Sequence, residues 1–350
     1  MNVLFFPYWP ANPYQPNLAK ALGERDVDVQ GVCDTSLSEL IRSVKGKDVL
    51  HLHWTNPYML APTLLTSAKC SFYFFKFLIK QKRIGRKLVW TIHNLAEHEP
   101  RHPRFELLCH KLLARLTDGI IVHSIYAKKR VVEVYKLGHR VDKISVIPHG
   151  NYIGNYPQGI SREQARVKLG IEADKTVFLF LGAIRAYKGI PDLVAAFTKI
   201  ATGNETLVLA GNPLNEQIES EISQLTARKK DIIYSPKFVN DEEIQIYMNA
   251  ADVVVFPFRD IFTSGSVLLA MSFAKAIIIP DLESLAEIKE AGGAITYDPH
   301  DKNSLGRAIA SALSVDLQKL GNCNLQEAEK LSWDAIADET FKFYSRILGL

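Results

Sequence analysis

The chain has 350 residues, 47% of them hydrophobic and 23% charged, which excludes a disordered or fibrous protein and implies about two domains, since one core rarely grows so large. Its net charge of +4 is uneven: residues 1–150 carry 22 Lys and Arg against 12 Asp and Glu, and the remainder 20 against 26. Cys33, Cys70, Cys109 and Cys323 show no CxxC spacing, so neither a zinc site nor a disulfide framework is expected, and a reducing cytoplasm is.

The N-terminus opens directly on a strand, NVLFF, without the basic start, apolar segment and small-residue cleavage site of a signal peptide, so export is not expected. A helix over Asn17–Arg25 follows, then strands VDVQGV and DVLHLHW, a helix over Ala61–Lys82, strand KLVWTIH, a helix over Phe105–Leu116 and strand DGIIVHS. The aromatic run Phe72–Ile79 is interrupted by Lys76 and is far shorter than the ~20 residues that span a bilayer. Lys69, Lys76, Lys80, Lys82, Arg83, Arg86 and Lys87 surround it, the composition of a helix lying on an anionic membrane surface. A core helix with a solvated basic end is the alternative. Nucleic acid is not an expected partner, because the aromatics form one block and are not interleaved with the cations.

After a loop at 150–159 a second cycle begins, with strands TVFLFLG, TLVLAG, IIYSP, DVVVFPF and AIIIP and helices over Asp192–Ala201, Asn215–Arg228 and Asp241–Ala250. The βαβα rhythm predicts an α/β fold of two Rossmann-like domains, each a doubly wound parallel sheet, over residues 1–155 and 156–331. Two such domains are expected to face each other across a cleft lined by strand carboxyl ends. The final helix, 332–350, has apolar residues at helical spacing, among them Trp333, Ile336, Phe341 and Tyr344, and suits packing on either domain.

Within LFLGAIRAYKG, a buried strand ends in Gly182 and delivers Arg185 and Lys188 to the carboxyl edge of its sheet, where open α/β folds bind ligands. Two cations on one turn can clamp a pyrophosphate and stabilise it as a leaving group; a solvated basic loop is the alternative. No strand is followed by GxGxxG, which argues against a dinucleotide oxidoreductase. The HLH of strand DVLHLHW puts His51 and His53 on one face, half a metal site, but no further ligand cluster stands at metal spacing and no metal is expected.

Four segments in order resemble a GT-B glycosyltransferase of the family 4 type over nearly the whole chain: LFLGAIRAYKG, LVLAG ending at Gly211, ADVVVFPFRD and FTSGSVLLAMSFAKAIIIPD. The resemblance implies a nucleotide-sugar donor in residues 156–331, with Gly182, Arg185, Lys188 and Gly211 at its diphosphate, His149 of VIPHGNY at a donor-facing hinge, and Glu287 near the nucleotide ribose. One feature departs from the family. Retaining members carry two Glu seven residues apart, where this chain has Phe262 and Leu269. Thr263, Ser264, Gly265 and Ser266 stand there at a helix start, offering hydroxyls and free N–H groups to a phosphate, or a simple N-cap.

This TSGS loop, with FPYWPANPYQ, HLHW and TIHNLAEHE, is similar to inverting bacterial exopolysaccharide mannosyltransferases of the xanthan type. That similarity implies GDP-mannose as donor, a lipid-linked oligosaccharide as acceptor, a β-linkage, no metal or other cofactor, and a peripheral location on the inner face of the cell membrane. An inverting transfer needs a base for the acceptor hydroxyl, for which His93, Glu97, His98 and Glu99 are the candidates. Tyr8, Trp9, Asn12, His53 and Trp54 are candidate acceptor contacts in residues 1–155, or packing anchors. The missing Glu pair keeps two alternatives open, a non-catalytic nucleotide-sugar-binding protein and a GT-B nucleotide-sugar epimerase.

Overall fold

The computed structural model describes residues 1–96 and 101–350. The chain forms two compact units, Met1–Gly150 with Leu331–Leu350, and Asn151–Lys330.

Unit 1 is built on six parallel strands, β1 (Asn2–Phe6), β2 (Asp28–Gly31), β3 (Val49–Leu52), β4 (Lys87–Thr91), β5 (Gly119–Val122) and β6 (Ile144–Val146), in the order β2-β1-β3-β4-β5-β6. Unit 2 has β7 (Thr176–Leu181), β8 (Glu205–Ala210), β9 (Ile232–Ser235), β10 (Val253–Val255), β11 (Ala276–Pro280) and β12 (Ala294–Tyr297), in the order β12-β11-β10-β7-β8-β9. All the pairings within the two sheets are parallel, and helices connect most successive strands. Strands covered on both faces must be apolar throughout, which is why VLHL, GIIV, VFLFL and VVV lack alternation and are completely or nearly buried.

The strand order reverses beside β1 in unit 1 and beside β7 in unit 2, and such switch points open crevices at the carboxyl ends of the strands. Residues just after β1 and β3, and just after β7 and β10, therefore stand where a ligand can be reached. In-register pairing of β7 with β8, from Thr176 opposite Glu205 to Leu181 opposite Ala210, brings Gly182 and Gly211 side by side. A Cβ on Gly211 would collide with the Gly182 carbonyl oxygen, and its φ of +149° also demands glycine.

The first helix runs Tyr14–Gly23, earlier than expected, because the Asn12 side chain accepts a bond from the Tyr14 N–H at 3.1 Å and starts it there. Short strands β6 and β12, at sheet edges and without long apolar runs, were not anticipated by the pattern of the sequence. The last helix, Trp333–Leu348, is capped by Ser332 and belongs to unit 1, where Ile336, Ala337, Phe343 and Tyr344 join the core with Leu18, Leu22 and Val3.

The long helix Leu64–Arg83 is two-faced. Phe74, Phe77 and Leu78 are buried, whereas Leu65, Phe72 and Tyr73 are exposed beside Lys69, Lys76 and Lys80. No helix of the described residues is long and apolar enough to cross a membrane.

Candidate active site

In unit 2 the strand-end glycine gathers the groups around it. From the Cβ position of Gly182, Lys188 Nζ lies at 3.5 Å and Ser266 Oγ at 3.8 Å. Lys188 ends a short 3-10 turn, Ala186–Lys188, closed by Gly189, whose φ of +67° and contact with the Pro257 carbonyl leave no room for a side chain. Its ammonium is buried and lies 5.9 Å from the Phe180 ring centroid and 5.8 Å from that of Phe258. Among the described residues it has no ion pair or hydrogen bond. Burial, and then the neighbouring Arg185, push its pKa down to about 8. A buried cation without a counter-charge is costly, and a site that accepts this cost is prepared for an anion.

Arg185 is half-buried and donates to the carbonyls of Ile184 at 2.9 Å and Asn212 at 3.1 Å. Ser264 is the N-cap of helix Gly265–Ser272, accepting from the Val267 N–H at 3.3 Å. Thr263, Gly265 and Ser266 are half-buried around that cap, so the helix N-terminus and the lysine converge on one strand end. Phe262 precedes that helix and Leu269 lies within it, both half-buried. Glu287 is exposed on the short helix Ala286–Glu290 after β11 and is not one of the groups packed against Gly182. A larger cavity of ≈960 Å³ elsewhere in unit 2, lined by residues such as Asp192, Lys199 and Arg307, includes neither Lys188 nor Ser266.

Unit 1 gathers imidazoles instead. His53 follows β3, His93 follows β4, His123 follows β5 and His149 follows β6, so one histidine leaves each of four neighbouring strands. Their rings surround the buried Tyr14, with centroids 4.9 Å away for His93 and His149 and 5.4 Å for His123. His53 Nδ1 is 3.2 Å from His93 Nε2, and His93 Nδ1 is 3.4 Å from His123 Nε2, so both ring nitrogens of His93 are engaged. Trp54 stacks on His93 at 4.0 Å. His149 donates from Nδ1 to the Gly150 carbonyl at 2.6 Å and belongs to this cluster within unit 1.

Desolvation dominates the acid–base behaviour of all of them. His53 and His93 are held well below the usual imidazole value, first by burial and then by neighbouring imidazoles; His123 is pushed down to about 4 and His149 to about 3. His51 is consumed structurally, between Tyr344 Oη at 2.5 Å and Thr91 Oγ1 at 2.7 Å. Among the described residues no group of three His, Cys, Asp or Glu is arranged to hold a metal ion.

A pocket of ≈230 Å³ opens beside the cluster, lined by His53, Trp54, Asn56, Trp90, His93 and His110 among others. Of the other sequence candidates, Tyr8 packs its ring over Gly31, and Asn12 serves as the helix start described above. Trp9 is exposed, its N–H held by the buried Gln15 at 2.9 Å, whose own amide donates to the Pro7 carbonyl. Glu97, His98 and Glu99 lie outside the described residues. His123 was not anticipated, although a recurring signal was there to read: HLHW, TIHN, IVHS and IPHG each put a histidine just past an apolar run.

Residues 161–326 match the family described as Glycosyl transferases group 1. Over 308 residues the chain is 28% identical to the GDP-mannose:glycolipid 4-beta-D-mannosyltransferase of Xanthomonas campestris pv. campestris, covering 86% of this chain and 80% of that relative. It is 24% identical over 294 residues to the D-inositol 3-phosphate glycosyltransferase of Acidothermus cellulolyticus, covering 77% and 64%. Among solved structures, sucrose-phosphate synthase from Thermosynechococcus elongatus superposes with a TM-score of 0.74 at 18% identity, over 99% of both chains. HepE from Anabaena in complex with UDP and glucose gives 0.74 at 16% identity, over 99% of this chain and 100% of that one.

Proposed function

We propose that this chain, a GT-B glycosyltransferase that carries a group 1 domain, moves a hexose from a nucleotide-diphosphate sugar, with GDP-mannose the leading donor, to a hydroxyl of a lipid-linked oligosaccharide with inversion. The observation that carries the reading is the buried, uncompensated ammonium of Lys188 beside Gly182, Ser266 and the N-terminus of helix Gly265–Ser272. A diphosphate there would gain a cation and free backbone N–H groups, both worth most as negative charge grows on the leaving group. Arg185 on the same turn is the second cation of this donor site. Donor binding falls to unit 2 and acceptor binding to unit 1.

Inversion is supported by Phe262 and Leu269, which cannot act as carboxylates, and by the relative that acts as a β-mannosyltransferase. Its chemistry is in-line: the acceptor oxygen bonds to the anomeric carbon as the diphosphate leaves with the electron pair, and a base takes the hydroxyl proton. The imidazole cluster around His93 supplies that base, with Glu97, His98 and Glu99 the alternatives in the same segment. The exposed face of helix Leu64–Arg83, aromatic and basic together, suits an anionic membrane surface that carries a lipid-linked acceptor.

The test is a panel of GDP-, UDP- and dTDP-sugars assayed for thermal stabilisation and slow donor hydrolysis, with Arg185→Ala and Lys188→Ala as controls. Selective stabilisation by GDP-mannose, lost in both variants, is the expected result; no response to any nucleotide sugar would overturn the reading. Stabilisation without transfer to any acceptor would favour a non-catalytic nucleotide-sugar-binding protein, the second reading that the missing carboxylates support.

A further inference from the structure

The pocket of ≈230 Å³ in unit 1 is polar without being charged. Its walls carry amides, imidazoles, indoles and one hydroxyl, and among the described residues no Lys, Arg, Asp or Glu lines it. The imidazoles add no cation at neutral pH, because burial holds His53 and His93 well below the usual value and pushes His110 down to about 4. Its two asparagines differ in their bonding. Asn56 is pinned from both ends, Nδ2 donating to Glu106 Oε1 at 3.2 Å and Oδ1 lying 3.0 Å from His110 Nε2. Asn94, just past β4 and half-buried, makes no side-chain hydrogen bond among the described residues. It keeps an acceptor oxygen and two N–H donors for a ligand. Trp54, also half-buried, stacks on His93 at 4.0 Å with the planes 12° apart, which holds its indole in place at the pocket wall.

We infer that this pocket takes an uncharged terminal pyranose of the acceptor, with Asn94 bonding its hydroxyls and Trp54 against its C–H groups, and that it rejects a ring bearing a carboxylate or phosphate. The inference rests on the transfer reading for the identity of the ligand as acceptor.

Size, polarity and charge each select that ligand. The volume falls below the range of about 300–1,000 Å³ that encloses a drug-sized molecule, which leaves room for one ring and not for a chain of them. Neighbouring hydroxyls on a sugar each donate and accept, and a carboxamide offers both functions side by side. The aromatic wall suits the apolar face of a pyranose. An anionic ring would leave water for a lining that supplies no counter-charge, a loss that hydrogen bonds from neutral groups do not offset. Glu106, buried behind Asn56, adds a carboxyl group to the surroundings and no cation. Asn94 is thereby a specificity-determining residue, open to a ligand because nothing in the protein occupies its amide.

The experiment is saturation-transfer NMR titration of the full chain, without nucleotide, using methyl glucoside, methyl mannoside and methyl glucuronide as probes. At least one neutral glycoside should bind, and the glucuronide should bind about tenfold more weakly than the better of the two. Asn94→Ala should weaken the neutral glycoside about fivefold with the melting temperature unchanged, since Asn94 makes no bond that folding would lose. Should that variant not fold, Asn94→Ser is read in the same way. No binding of either neutral glycoside, a glucuronide that binds as well, or a variant that binds like the wild type would each overturn the inference. Nucleotide-sugar stabilisation is measured in parallel. If it is absent while the glycosides bind, the transfer reading fails and the pocket stands; if it is present while they do not, only the pocket assignment fails.

Discussion

The phenolic oxygen of Tyr344 lies 2.5 Å from Nδ1 of His51, so the last helix of the chain completes the hydrogen bonding of a fully buried strand residue nearly three hundred positions earlier. Tyr344→Phe leaves that imidazole nitrogen unsatisfied in a dry core, and the expected cost is about 1–3 kcal/mol. Chemical denaturation checks it: the midpoint should fall with the slope unchanged, and an unmoved midpoint would remove the bond from the stability of unit 1.

Lys188 is expected to trade stability for binding. Lys188→Met should lower kcat/KM for a nucleotide-diphosphate sugar by about 10²–10³ while leaving the ligand-free melting temperature the same or higher, because an uncompensated buried ammonium is costly. Activity measured beside ligand-free melting checks both halves, and a variant that melted lower but turned over normally would reverse the assignment.

The same lysine is expected to make nucleotide-sugar binding depend on pH. With its pKa pushed down to about 8, it loses its proton as pH rises past that value, and a bound diphosphate should raise the pKa again. Calorimetry at pH 8.5 in buffers of different ionisation enthalpy should therefore register proton uptake on binding, and affinity should weaken above about pH 8. Equal heats in all buffers would show that Lys188 stays charged without its anion.

The histidines of unit 1 set an acid limit on stability. His51 and His149 are pushed down to about 3, and His110 and His123 to about 4, from an ordinary value of 6.5. Above 6.5 both folded and unfolded chains hold them neutral, and they contribute no slope. Below it the unfolded chain takes up protons that the folded chain refuses, so stability falls with pH through the window from 6.5 to about 4. Each imidazole adds up to about 1.4 kcal/mol per pH unit. Melts at pH 7.5 and 5.0 should differ markedly, and a flat profile would show that the rings are not held neutral.

The exposed side of helix Leu64–Arg83 is expected to carry vesicle binding and no folding energy. Replacing Leu65 and Phe72, 84% and 63% exposed, by Asp should cut co-sedimentation with phosphatidylglycerol vesicles about tenfold with the melting temperature unchanged. Wild-type binding should also weaken as salt rises, because Lys69, Lys76 and Lys80 act through a screened field. Equal sedimentation of wild type and variant would reject this face as the contact.

Much of the architecture was legible from local pattern. NVLFF, TVFLFLG, TLVLAG and AIIIP announce strands because a sheet covered by helices must be apolar on both faces, and LFLGAIRAYKG announces a strand end with two cations. Strands β6 and β12 were not legible, since short edge strands need no long apolar run. The start of the first helix also escaped, because the turn in which Asn12 accepts from the Tyr14 N–H lies outside the periodic segment.

The sequence by itself determined the two α/β halves, the glycines at the ends of β7 and β8, and which residues could bear charge. Tertiary structure alone decided their chemistry. Lys188 is a buried, uncompensated cation only because the turn folds its ammonium back beside Gly182 and Ser266. His53, His93 and His123 come together only because β3, β4 and β5 pair side by side and deliver them past the same edge of the sheet. The tautomer of His123 is set by a carbonyl, Ile147, that no residue-type pattern could single out, since every residue carries one and only packing selects which faces an imidazole.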